Sequence, residues 1–237
     1  MGRRLFATPL YYFNNRVTDM KNIFFAFFFF VFNIHLFSQS SPNKISTILS
    51  IGGSFASEAN YAVYDFENRN TKLISYTPDF SGKIGISYES IASIYNLNLG
   101  LVLDIGYLSA STEKFNFRFG RGKATQKLIP IILSLKLEGD YKLNPLLKFG
   151  LGIGSKEVSE EFEDFSRANV SVERWFFIVS GGTGLSYKIN ESLKCAIIYD
   201  LIILDGKLTK ENDYGYITGL EGLQTSTYIG LQFSYSF

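Results

Sequence analysis

The final eleven residues, Thr227 to Phe237 (TYIGLQFSYSF), alternate along their whole length. Ile229, Leu231, Phe233, Tyr235 and Phe237 fall on one parity. Tyr228, Gly230, Gln232, Ser234 and Ser236 fall on the other, which is small or mostly polar. A β-strand sends successive side chains to opposite faces, so this segment carries one apolar and one wet face. Stopping on an aromatic, it reads as the last strand of a sheet whose apolar side needs a cover.

The same period recurs seven more times after residue 43. The eight expected strands are Ile45–Phe55, Phe80–Ser90, Tyr95–Ser109, Thr125–Glu138, Pro145–Glu157, Arg174–Lys188, Ser192–Asp205 and Thr225–Phe237. Most exceed the usual globular strand of about 5–6 residues. They suit tilted membrane strands of about 9–11 residues with extensions into water. Leu97 through Tyr107 show the pattern well: odd positions are Leu, Ile or Tyr, and Asn98, Gly100, Asp104 and Gly106 oppose them. The seventh strand is weaker, because Ile198, Ile202 and Leu204 share the parity of Lys194 and Asp200. Pro130 cannot donate to a ladder, so a bulge or a strand start is expected there.

Connection lengths alternate as well. Ile91–Ile94, Gly139–Asn144 and Ile189–Glu191 are short; Ala56–Asp79, Ala110–Ala124, Val158–Glu173 and Gly206–Gln224 are long. Short periplasmic turns and long external loops are the build of outer-membrane barrels. The expectation is an all-β, closed, antiparallel up-and-down transmembrane barrel of eight strands. Lipid hydrocarbon forces closure, because every backbone polar group must be paired within the protein. The competing reading is a secreted soluble barrel that binds a ligand, with the leucines inside and the lysines in water. Which face is buried decides between them.

If lipid covers the apolar face, the lumen receives Lys83, Glu89, Asp104, Lys136, Glu138, Lys148, Lys188, Lys194 and Asp200. Mixed charges crowded in a narrow lumen should pair, since an unpaired buried charge is costly. That predicts a plugged barrel rather than a pore. Tyr107, Trp175 and Phe177 are expected at the outer membrane interface; Tyr88, Tyr187, Tyr235 and Phe237 are expected at the inner one.

The front of the chain reads as a leader. Ile23 to Phe32 (IFFAFFFFVF) is an apolar run after Lys21, broken by Asn33 and His35 and closed by Ser38, Gln39 and Ser40. A basic start, a short apolar core and small residues describe a secretory signal, cut near Ser38. Residues 1–38 are assigned to this region and 39–237 to the barrel; Met20 is an alternative start, which would place 1–19 upstream.

The leader, the strand pattern, the loop rhythm and the final Tyr235-Ser236-Phe237 together resemble the small OmpA/OmpX-type outer-membrane barrels. The Phe-rich leader followed by Ser-Gln is similar to those of Bacteroidetes members, including the PorT-like group. The resemblance covers about residues 43–237. It implies residence in the outer membrane and recognition of the last strand by the barrel-assembly machinery. It supplies no catalytic residues.

Chemistry is narrowly bounded. The one histidine, His35, lies in the leader, so no Ser-His-Asp or Cys-His arrangement can be assembled in the barrel. Zinc sites fail for the same reason. Cys195 is expected outward and structural. Glu160, Glu161, Glu163 and Asp164 read as a solvated acidic loop tip or a weak hard-cation site. Lys114, Arg118, Arg121 and Lys123 alternate with Phe115, Phe117 and Phe119, which suggests a hairpin above the membrane whose cations could meet lipopolysaccharide phosphates. No enzyme activity, no cofactor and no metal are expected. With 23 Lys plus Arg against 22 Asp plus Glu, nothing marks a nucleic-acid binder. The expected partners are outer-membrane lipids and lipopolysaccharide, and the protein is expected to be a monomer. The function expected is structural or surface-interacting; a PorT-like secretion accessory and a narrow solute channel are the alternatives.

Overall fold

The computed structural model describes residues 44–56, 60–65, 70–94, 96–112, 114–117, 120–163, 170–205, 208–211, 217–220 and 223–237. The leader, Arg118, Phe119 and Asp164 lie outside these, so the expectations placed on them are not addressed by it. Eight strands form a ring: β1 (Lys44–Ala56), β4 (Phe80–Ile94), β5 (Leu97–Thr112), β7 (Gly120–Gly139), β8 (Leu143–Phe162), β9 (Val170–Lys188), β10 (Leu193–Asp205) and β13 (Leu223–Ser236). Neighbours are antiparallel throughout, and β1 pairs with β13 to close the ring. The connections carry short strands of their own: β2 (Asn60–Asp65), β3 (Asn70–Pro78), β6 (Phe115–Phe117), β11 (Leu208–Glu211) and β12 (Ile217–Leu220).

The register fixes the tilt. From Ser46, Cα partners lead round through Ser87, Val102, Ser134, Gly150, Ser180, Ile202 and Ser226 to Ala56. The walk ends ten residues further along β1 than it began. Such a stagger requires strands inclined by about 35–45° to the barrel axis. At about 3.3 Å per residue and a tilt of about 40°, Leu193 to Ile203 climbs roughly 25 Å. That matches the apolar band of transmembrane barrels, about 25 Å tall.

The apolar face is the outer one. Ile84 is 60% exposed, Ile197 61% and Leu147 54%, whereas Lys83, Lys136 and Asp200 are each 4%. A soluble barrel would bury the first three and hydrate the others. The reading with leucines inside is therefore excluded by the fold itself.

Three local expectations are corrected. The β4–β5 connection is tighter than Ile91–Ile94: β4 runs to Ile94, and a bulge between Tyr88 and Ala92 absorbs the extra residues. Asn96 then turns the chain with φ 65°, which a short polar side chain tolerates. Pro130 neither starts a strand nor makes a bulge. The β5–β7 register is the same on both sides of it, and only the pairings of Gly106 and Tyr107 drop out. Gly106 leaves room for the proline ring, since a Cβ there would lie 3.2 Å from Pro130 Cγ. Finally, β8 and β9 run to Phe162 and from Val170, well into the stretch assigned to a loop. Their pairing continues as far as Glu160 opposite Val170.

Asparagines shape the other short turns. Asn144 accepts from the Tyr141 amide at 2.5 Å and donates back to the Tyr141 carbonyl at 2.7 Å. Asn190 Oδ1 accepts from the amides of Ser192 and Leu193 at 2.9 and 2.8 Å. Both are Asx-type closures, in which a side chain replaces a backbone partner.

Candidate functional site

The inward face concentrates the polar chemistry in two charge-neutral quartets. The first joins Lys83 of β4, Asp104 of β5, Lys148 of β8 and Asp200 of β10. Asp200 Oδ2 accepts from Lys83 Nζ at 2.6 Å and Lys148 Nζ at 3.1 Å, and Lys148 lies 3.7 Å from Asp104 Oδ2. The second, nearer the short turns, joins Glu89, Lys136, Glu138 and Lys194. Lys136 Nζ lies 2.9 Å from Glu89 and 3.2 Å from Glu138; Lys194 Nζ lies 3.1 and 3.2 Å from the same two carboxylates. Ser186 Oγ donates to Glu138 at 2.5 Å.

These contacts cross the barrel rather than run along it. β4 and β10 are not neighbours in the ring, yet each quartet ties them together. Charge-assisted hydrogen bonds of this length are the strong kind, and they offset the cost of burying eight ionised groups. Glycine makes the space. A Cβ on Gly182 would sit 2.1 Å from Asp200 Oδ1, so only hydrogen fits beside that carboxylate. The space left among Lys83, Asp104, Lys148, Asp200, Ser134 and Ser180 is about 10 Å³, room for about one water.

Eight of the nine expected lumen residues thus meet in two groups. Lys188 does not. It reaches Asp140 at 3.6 Å on the short-turn rim, where both side chains are solvated. Its parity is inward, but the strand has already left the lumen at that height.

The lumen is also less polar than its charges suggest. Ile198, Ile202 and Leu204 on β10 are inward and nearly inaccessible. They pack with Leu108, Leu128, Ile132, Val158, Phe176, Ile178, Ala196 and Tyr228 into one apolar cluster. Lys83 Nζ stands 4.5 Å above the Tyr228 ring, so a cation–π contact joins the cluster to the first quartet. Beyond the cluster, toward the long connections, Lys156 Nζ donates to Gln224 at 2.8 Å. Lys156 shares the parity of Lys148 on the same strand, and that signal alone could have marked it as a lumen residue.

Outside, Tyr107, Trp175, Phe177, Tyr187, Tyr235 and Phe237 are exposed, and Tyr88 is half-buried on the same outer parity. Tyr107, Trp175 and Phe177 lie toward the long connections; Tyr88, Tyr187, Tyr235 and Phe237 lie toward the short turns. Cys195 is half-buried and free, with Tyr187 and Phe233 as its strand partners.

The acidic stretch divides. Glu160 is buried on the inner face of β8, Glu161 is exposed, and Glu163 pairs with Lys114. The Lys114 ammonium, hydrogen-bonded to Glu163, holds that carboxyl below its usual range. Among the described residues no group of three or more His, Cys, Asp or Glu is placed to hold a metal ion. The expected hairpin is present: Phe115, Asn116 and Phe117 pair with Gly122, Arg121 and Gly120.

No family model matches the chain, and no curated protein matches its sequence. Solved structures do match it. A major outer membrane protein from Thermus thermophilus aligns with TM-score 0.53 and 10% identity, over 83% of this chain and 100% of that one. The fold is that of the outer-membrane β-barrels. The outer membrane protease OmpT from Escherichia coli aligns at TM-score 0.49 and 10% identity, over 84% of this chain and 100% of its own. Ail, the attachment invasion locus protein of Yersinia pestis, aligns at 0.44 and 14%, over 83% and 100%. At such identity the likeness speaks for architecture alone.

Proposed function

We propose that this chain is an integral protein of the bacterial outer membrane, non-enzymatic, with a lumen closed to diffusion and a structural or surface-interaction role. The observation that carries the reading is the inverted distribution of side chains: an outer band of Leu, Ile, Phe and Tyr around buried Lys, Asp and Glu. Such a band is at home only in hydrocarbon. The two quartets and the apolar cluster packed among and above them support closure, because eight strands leave an interior just wide enough for side chains to fill. The hairpin around Arg121 and Lys123, both exposed, favours lipopolysaccharide phosphates as the surface partner. The last strand, β13, is the segment we assign to the barrel-assembly machinery, and we take the protein to be a monomer.

The test is envelope fractionation followed by electrophoresis with and without boiling. The protein should fractionate with the outer membrane and migrate differently when boiled. In planar bilayers it should conduct negligibly; steady, large conductance overturns closure. The Phe-rich leader with Ser38 and Gln39 favours a second reading, a PorT-like secretion accessory of Bacteroidetes. Export defects on deletion, with an intact envelope, would support that reading over the first.

A further inference from the structure

The short-turn rim carries a cation that neither quartet uses. Lys142 is exposed on the connection between β7 and β8, and its carbonyl accepts from the Lys188 amide at 2.9 Å. That bond ties the connection to the end of β9 and fixes where the lysine stem starts. The ammonium then stands 5.6 Å from the centroid of the Tyr187 ring. Tyr187 points outward and is 40% exposed, so the charge lies on the outer, apolar side of the wall. The ring quadrupole holds a cation over an aromatic face. Beside it, Lys188 is matched by Asp140 at 3.6 Å. Lys142 forms no ion pair with a carboxylate among the described residues. The wall next to it is furrowed. Leu143, Tyr187, Cys195 and Phe233 make one cross-strand row over β8, β9, β10 and β13. All four face outward, and the smallest, Cys195, is half-buried between two rings. Toward the middle of the band the next outward residue on β10 is the exposed Ile197.

We infer that Lys142 and this row form a docking site for an anionic glycerophospholipid of the leaflet on the short-turn side. The lipid is recognised in two parts. The ammonium keeps N–H donors that the ring does not occupy, and they meet the phosphate oxygens in charge-assisted hydrogen bonds. One acyl chain lies over Cys195 between Tyr187 and Phe233 and continues past Ile197 into the hydrocarbon. A lysine placed this way covers apolar surface with its stem and offers its head to the interface. A zwitterionic lipid brings an ammonium of its own, which competes with Lys142 for the same phosphate. A phosphatidylglycerol head has no such group. Free phosphate lacks the chain and gains nothing from the furrow. The inference rests on the reading that lipid covers the outer band, and it names the lipid held at one point of that band.

The experiment uses the full chain refolded into phosphatidylcholine vesicles. Trp175→Phe with Tyr187→Trp moves the single tryptophan into the site and keeps an aromatic face under Lys142. Quenching by brominated phosphatidylglycerol is compared with quenching by brominated phosphatidylcholine, which gives their relative association constant at that ring. Phosphatidylglycerol should be preferred about fivefold, the worth of one ammonium near an anionic lipid surface. Lys142→Gln should bring the ratio close to unity, and Lys142→Arg should keep it. Glycerol phosphate added to the water should leave the preference intact. Native mass spectrometry of the chain with its own Trp175 and Tyr187, released from mixed vesicles, should show phosphatidylglycerol retained, and less of it on Lys142→Gln. Three results overturn the site in a chain whose migration still changes on boiling: a ratio near unity with Lys142 present, a ratio unchanged in Lys142→Gln, or a preference abolished by glycerol phosphate. A chain that does not insert at all removes the membrane reading, and this site with it.

Discussion

Asp200→Asn isolates the worth of the first quartet. The substitution keeps volume and an acceptor oxygen but removes the charge that both Lys83, at 2.6 Å, and Lys148, at 3.1 Å, rely on. Asp104 remains, 3.7 Å from Lys148, to balance two ammonium groups. Removing one partner of a buried pair costs about 3–5 kcal/mol, because the remaining charge is left uncompensated. At a urea dependence of about 2 kcal/mol per molar, the unfolding midpoint should fall by roughly 2 M. Reversible unfolding from vesicles, followed by the fluorescence of the single tryptophan, Trp175, measures it. Adding Lys148→Met restores neutrality, so the double variant should be more stable than Asp200→Asn alone. Should Asp200→Asn shift the midpoint by less than the equivalent of about 1 kcal/mol, the lumen is wet and screened. The ion-pair argument for closure then fails.

Three further outcomes are expected. Ile197→Arg, placing a cation in the middle of the outer band, should cost about 2–4 kcal/mol in the same assay, and a negligible change would put water, not lipid, against that face. Gly182→Ala should destabilise by about 1–3 kcal/mol, because its methyl would meet Asp200 Oδ1 at 2.1 Å. Its neighbour Gly181→Ala, with nothing within 4 Å, should stay within about 0.5 kcal/mol, so equal effects would mean the clash is not the cause. Glu163 has a folded-state carboxyl pKa held below 4.5 by Lys114, so that contribution is present above the ordinary value and lost as pH falls through the folded one. In Lys114→Ala, an NMR titration of Glu163 should return toward 4.5, and an unmoved midpoint would remove Lys114 as the cause.

Much of this is legible in the order of the residues. A two-residue period sorts side chains between faces without knowledge of any partner, and it places Lys83, Asp104, Lys136, Glu138, Lys148, Lys194 and Asp200 on one wall. What it cannot supply is height. Lys188 has the same parity but sits where β9 has already left the lumen, and only the stagger of the ring shows that. Nor does parity say how an inner wall divides between charge and hydrocarbon. Ile198, Ile202 and Leu204 look like blemishes in β10, because Leu108 and Leu128 of the same cluster come from strands far off in the chain. Glu160 misleads for a different reason. A run of acidic residues looks solvated, yet β8 carries on past it and turns its side chain inward. Pro130 has the composition of a ladder breaker, and a glycine on the neighbouring strand absorbs it instead.

The two cross-lumen clasps join residues far apart in the chain: Lys83 is 117 positions from Asp200, and Glu89 is 105 from Lys194. A half-made wall of the first five ring strands would pair Lys136 with Glu89 and Glu138 and hold Lys148 near Asp104, but it would leave Lys83 without Asp200. Entering the bilayer in that state would expose that ammonium group and two unpaired strand edges along an open seam. Insertion and final closure must therefore proceed together, with β10 and β13 arriving as the keystone. A chain truncated before Leu193 should be rejected by the membrane outright rather than settle there as a smaller cylinder.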